Sequence, residues 1–145
     1  MVVATRSVSP EEARALLAAG YLYVDVRSEP EFEAGHVPGA LNVPLLHQGP
    51  GGMTANPEFL AVMQQAFSKS EKMVIGCKAG GRSKKAAEQL AQAGFSELVD
   101  MPAGWDGSRD AFGRVVPGWS KQGLPVEPGK PAGQAYDDVK QRAPR

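Results

Sequence analysis

The chain has one cysteine, Cys77, at the centre of the stretch MVIGCKAGGRSKKAAEQLAQAG (73–94). Lys78, Ala79, Gly80, Gly81, Arg82 and Ser83 follow it. A free thiol with a pKa of about 8.5 is only a few per cent ionised at neutral pH, so a nucleophilic cysteine needs neighbours that favour the anion. This stretch supplies them. A helix is expected to open near Ser83, and the N–H groups of its first turn are unpaired and carry partial positive charge. Gly80 and Gly81 have no side chains in the way and can adopt backbone angles that turn successive N–H groups inward, making a cradle for an anion. Lys78 and Arg82 offer sites for an anionic substrate group, and Lys84 and Lys85 enrich the approach. The pattern suits a cysteine that attacks an anionic donor. The plainer alternative is a buried structural cysteine before an ordinary strand-to-helix turn. The glycine pair and the two flanking cations favour the reactive reading.

The elements that must hold this loop can be read from periodicity. Ser9, Pro10 and Glu12 form a capping box that opens a helix with Ala13, Leu16 and Leu17 on one face, stopped by Gly20. YLYVDVR (21–27) reads as a strand, SEPEFEAGH as a short helix opened by Ser28, and ALNVP as a short strand ended by Pro44. HQGPGG (47–52) reads as a loop. NPEFLAVMQQAF follows as a helix capped by Asn56, with Pro57 in its first turn and Leu60, Met63 and Phe67 on one face. KMVIG is a strand with an unbroken apolar centre, as expected when both sheet faces are covered. SKKAAEQLAQAG is an amphipathic helix with Ala87, Leu90 and Ala91 inward, and ELVDMP is the last clear strand. Such alternation predicts an α/β fold with a largely parallel sheet between helices. A short helix and turns are expected over 103–119. The segment 128–145, rich in proline and glycine, reads as a mobile tail on a domain spanning 1–127.

A chain of 145 residues favours one domain with a real core. Its 16 basic and 16 acidic residues balance, which argues against a nucleic-acid surface or an anionic membrane as partner. No signal peptide or membrane-spanning helix is readable at the N-terminus, so a cytoplasmic protein is expected, with an organelle reached through a removed transit peptide as the other option. One cysteine excludes an internal disulfide and a CxxC redox pair, and His36 and His47 with no second thiol make no zinc site.

The stretches YLYVDVRSEPEFEAGHVPGALNVP, VIGCKAGGRSKKAAEQLAQAGFSELVDMPAGW and GWSKQGLPVE resemble, in order and spacing, a single-domain rhodanese, a thiosulfate sulfurtransferase. The resemblance runs from about residue 7 to 127 and implies a three-layer rhodanese fold with a central, mostly parallel sheet of five strands. It also implies a mechanism. Cys77 attacks the outer sulfur of thiosulfate or a similar anionic donor, sulfite leaves, and the Cys77 persulfide is unloaded by cyanide, a small thiol or a thioredoxin-like acceptor. No metal, flavin or nucleotide cofactor is implied. Four residues separate Cys77 from Arg82, whereas related phosphatases and arsenate reductases use five, making a wider cradle for a tetrahedral oxyanion. The shorter loop favours sulfur over phosphate chemistry. A non-catalytic rhodanese-like interaction or sulfur-carrier module is the other alternative.

Asp25, Arg27 and Trp105 are expected at the pocket rim: the first two as a structural pair, and Trp105 as a wall beside Cys77, its position in the family. Glu33 lies in the same stretch as His36, which is expected to fix the turn before VPGA. His47 is expected at the surface, Trp119 in packing, and Arg109 and Arg114 on solvated surface of the insertion at 106–118.

Overall fold

A computed structural model describes residues 6–143. Residues 1–5, where the absence of a leader was read, and the end of the expected tail, 144–145, lie outside this range. In chain order the elements are β1 (Arg6–Ser7), α1 (Pro10–Ala18), β2 (Leu22–Asp25), α2 (Glu29–Ala34), β3 (Leu41–Asn42), β4 (Leu46–Gly49), β5 (Gly52–Ala55), α3 (Phe59–Ala66), β6 (Met73–Gly76), α4 (Gly81–Gln92), β7 (Leu98–Met101), β8 (Gly107–Arg109) and β9 (Val115–Pro117). A 3-10 turn at Trp119–Lys121 and α5 (Tyr136–Val139) complete the list. No helix among the described residues is long and apolar enough to cross a membrane.

The apolar run of β6 is buried at all four positions and occupies the middle of a five-stranded parallel sheet of order β1-β7-β6-β2-β3. Register aligns Asp25 with Gly76 and Gly76 with Met101. The carboxyl ends of β2, β6 and β7 therefore finish level, and Arg27, Cys77 and the segment after Met101 emerge along one edge. Gly76 is required there, because a Cβ would lie 1.8 Å from the Tyr23 hydroxyl on the neighbouring strand.

Side chains alternate across the sheet with period two. Val24, Met73, Ile75 and Leu98 pack with Met63 and Phe67 on the α3 side and Ala86 and Leu90 of α4. Tyr23, Val74, Val99 and Met101 pack on the opposite face with Ala13 of α1, Phe32 of α2 and Trp119. Both early helices open as their capping residues predict. Ser9 Oγ accepts the Glu12 N–H, and Glu31 accepts the Ser28 N–H at 3.1 Å.

Several expectations need correction. Met63 and Phe67 are buried as expected, but Leu60 is exposed, and Phe59, Val62 and Ala66 complete the inward face of α3. Asn56 stands outside that helix. Its Oδ1 accepts the Glu58 N–H, and its amide donates to the Pro44 carbonyl and the Tyr136 hydroxyl. The 47–52 stretch is the turn region of a β4–β5 hairpin, and 106–118 carries a second hairpin, β8–β9, rather than a short helix.

The segment expected as a mobile tail is laid against the core. Tyr136 and Val139 are buried in the α3-side cluster, and the Arg142 guanidinium lies 4.7 Å from the Phe67 ring centre. Gln134 accepts the Asn42 N–H and donates to the Ala40 carbonyl, adding strand-like contacts along β3. Two apolar residues three positions apart are too short a pattern to stand out among prolines and glycines. Tyr136→Ala should cost about 3 kcal/mol, as for other buried aromatic truncations. A urea midpoint unchanged from wild type would instead describe a tail that contributes nothing.

Candidate active site

Cys77 is the first residue beyond β6, and α4 begins four positions later. Between them Gly80 takes φ of 94°, a conformation that strains any side chain, and a Cβ there would lie 2.4 Å from the Pro102 carbonyl oxygen. This turn aims the Gly80 N–H at Cys77 Sγ, 3.1 Å away. The Gly80 carbonyl then accepts the Lys84 N–H at 3.1 Å and the Ser83 hydroxyl at 3.2 Å, tying the turn to the start of α4. Only 2% of Cys77 is exposed, so the sulfur sits at the inner end of the loop, against apolar side chains.

A second segment holds the loop from behind. Trp105 N–H donates to the Cys77 carbonyl at 2.7 Å and Asp106 N–H to the Lys78 carbonyl at 2.9 Å. Gly104, at φ of 65°, passes so close that a Cβ would lie 2.5 Å from the Lys78 carbonyl oxygen. Gly104 and Asp106 were not singled out in the sequence; a glycine just after the last strand was the available signal.

The cations of the loop are not equally available. Arg82 was expected to receive an anionic substrate group, but its fork is spent on Glu31, with Nη1–Oε1 at 2.7 Å and Nη2–Oε2 at 3.0 Å. Glu31 also accepts the Ser28 hydroxyl at 2.8 Å. Burial pushes the Glu31 carboxyl up, but the hydrogen bonds from Arg82 and Ser28 outweigh it and hold the group at about 2. Glu31 in turn keeps Arg82 above its ordinary value. Glu31 was also missed, although it is the third residue after Ser28 and so the capping-box position. Lys78 is exposed and lies 3.7 Å from the Asp106 carboxylate. Ala79, Gly81, Lys84 and Lys85 are exposed, and Ser83 is buried.

Asp25, Arg27 and Trp105 form one assembly beside the loop. Asp25 Oδ1 accepts both the backbone N–H and the Nε–H of Arg27, and Oδ2 accepts its Nη2 at 2.7 Å. The same Nη2 donates to the Gly35 carbonyl at 2.7 Å, and the guanidinium stacks 4.9 Å from the Trp105 ring centre. The Trp105 ring packs against Gly35, where a Cβ would come within 3.2 Å of it. The pair is buried and engaged on every side, so it fixes the position of Trp105.

His36 is fully buried. Its ring stacks on Phe32 at 3.8 Å, with Nδ1 2.8 Å from the Phe32 carbonyl and Nε2 3.0 Å from Glu127. Glu33 is exposed, 4.0 Å from Lys130. His47 lies on β4, half-buried, and Trp119 is buried with its indole N–H on the Pro125 carbonyl. Arg109 and Arg114 are exposed on the second hairpin. No group of three or more His, Cys, Asp or Glu side chains among the described residues could hold a metal ion.

The geometry thus offers, among the described residues, one buried thiol, a backbone amide aimed at it, and a loop held from two sides. Residues 9–111 match the Rhodanese-like domain family. The chain is 40% identical over 121 residues to thiosulfate sulfurtransferase 16, chloroplastic, of Arabidopsis thaliana, covering 83% of this chain and 92% of that one. It is 39% identical to senescence-associated protein DIN1 of Raphanus sativus, covering 83% of this chain but only 60% of that longer protein. Among solved structures, Rv0390 from M. tuberculosis superposes with a TM-score of 0.72 at 27% identity, covering 88% of this chain and 100% of that one. Fold, motif order and these likenesses agree: the chain belongs to the rhodanese-like family.

Proposed function

We propose that the protein is a sulfurtransferase that moves a sulfane sulfur from thiosulfate or a similar donor to a thiophilic acceptor through a persulfide on Cys77. The observation that carries this reading is the Gly80 N–H directed at Cys77 Sγ at 3.1 Å. An N–H aimed at this position is placed to stabilise negative charge that develops there during sulfur transfer. In the first step the Cys77 thiolate attacks the outer sulfur of the donor. The donor's S–S bond breaks, its electron pair leaves with sulfite, and a new S–S bond joins that sulfur to Cys77. In the second step the acceptor attacks the outer sulfur and the electron pair returns to Cys77. The name of the Arabidopsis relative, thiosulfate sulfurtransferase 16, supports the donor class. With Arg82 held by Glu31, the donor's charge is met by Lys78 and the loop amides, with Lys84 and Lys85 along the approach.

Treatment with thiosulfate should add the mass of one sulfur to the intact protein, and Cys77→Ser should abolish both this gain and thiocyanate formation from cyanide. A wild-type thiocyanate rate no higher than that of Cys77→Ser would remove the proposal.

The Glu31–Arg82 pair sets a second expectation. The folded value of Glu31, about 2, is depressed below its ordinary 4.5. Its contribution to stability is therefore present above about pH 4.5 and is lost as pH falls toward 2. Glu31→Gln should flatten the acid limb of the stability curve between pH 5 and 2. Loosening the loop should also lower kcat/KM for thiosulfate by on the order of ten- to a hundredfold, the scale of a small misplacement of reacting groups. Identical acid limbs for the two proteins would show that the pair adds nothing to the fold.

A further inference from the structure

The β8–β9 hairpin is built as though its tip were meant to be touched. Phe112 is 83% exposed and Val115 68% exposed, an apolar pair held out into solvent. The tip around them is tightly organised. Asp110 Oδ1 accepts the N–H groups of Phe112 and Arg114 at 2.9 and 3.0 Å, and Oδ2 accepts the Arg114 Nε–H at 2.9 Å. Arg109 donates to the Gly113 carbonyl at 2.7 Å, and the Arg114 guanidinium lies 5.2 Å from the Phe112 ring centre. A preordered exposed aromatic beside arginine has the composition of an interface anchor, with its conformational entropy already lost before any partner arrives.

The root of the same hairpin is fastened to the catalytic loop. Trp105 and Asp106, which hold the Cys77 and Lys78 carbonyls, lead directly into β8. At Gly118 the returning strand passes so close that a Cβ would lie 2.4 Å from Gly107 N and 2.5 Å from the Trp105 carbonyl oxygen. Trp119 N–H and Ser120 Oγ then donate to the carbonyls of Gly104 and Trp105, at 2.9 and 2.7 Å. Phe112 is six residue steps from Asp106, a reach of at most about 20 Å even for fully extended chain. A standard interface of about 800 Å² on each partner is wide enough to cover both the tip and the loop. A small acceptor cannot touch both.

Resting on the sulfur-transfer reading, we propose that this hairpin is a docking arm for a protein acceptor: an acidic protein that seats an apolar patch on Phe112 and Val115 while its own thiol reaches Cys77. Charge selects the partner's sign. Lys78, Lys84, Arg109 and Arg114 are exposed here; Lys78 and Arg114 are paired with Asp106 and Asp110, and Lys84 and Arg109 leave these six side chains with an excess of positive charge. The transfer is balanced. The partner's thiolate attacks the outer sulfur of the Cys77 persulfide, that S–S bond breaks, a new one forms on the partner, and Cys77 recovers its thiolate.

The test loads the full chain with thiosulfate and measures the second-order rate of unloading by reduced thioredoxin, used as a protein dithiol, and by cyanide. Phe112→Ser and, separately, Arg114→Glu should slow unloading by thioredoxin about tenfold, the scale of an interface anchor, and leave the cyanide rate within about twofold. Wild-type rates with thioredoxin in both variants overturn the docking arm, as does a wild-type enzyme that is unloaded no faster by thioredoxin than by dithiothreitol per thiol. Failure of the wild-type protein to gain sulfur at all is a different result: it overturns the sulfur-transfer reading and the docking arm with it.

Discussion

The N–H of Gly80 pointing at the sulfur of Cys77 is the contact on which the functional geometry turns. It exists because residue 80 adopts a backbone angle that side chains resist, and because the carbonyl of Pro102 fills the space a side chain would need. The sheet supplies the rest. Equal lengths of β2, β6 and β7 bring Arg27, Cys77 and the segment after Met101 to one edge, so a loop from one strand can be held by chain leaving another. The amide is oriented by the fold itself, and in the proposed reaction it meets the charge that develops on the sulfur.

The charged residues around the site are mostly engaged with one another. Arg82 is forked onto Glu31, and Arg27 onto Asp25 and the Gly35 carbonyl. Buried or half-buried guanidinium groups of this kind set positions: the first pair joins the loop to α2, and the second holds Trp105 beside it. A buried charge left without its partner is costly, so each pair is a constraint on the backbone at both of its ends. Free positive charge near the sulfur is left to lysines on flexible stems, which can follow an incoming anion.

The parallel sheet, the helices on both sides and the cysteine at the carboxyl end of a buried strand were legible because each rests on periodicity or on a local cap. Ser9 with Glu12 and the run Met73–Gly76 are examples. What was not legible depends on contacts distant in sequence. The partner of Arg82 lies 51 residues away, so its charge read as available to substrate when it is not. On α3 the expected Met63 and Phe67 are buried, but Leu60 lies at the edge of the inward face, which Phe59, Val62 and Ala66 complete. The hairpin at 106–118 gave no alternating apolar pattern, since its strands are three residues long and largely exposed.

The hydrogen bond between Asn56 and the Tyr136 hydroxyl joins residues 80 positions apart, and α5 finishes a face of the core that α3 begins. During synthesis that face stays open until α5 has been made. A chain that has not yet reached α5 already carries Cys77 but lacks Tyr136 and Val139 over Met63 and Phe67, so the apolar surface of a half-made molecule is exposed on the side away from α1 and α2.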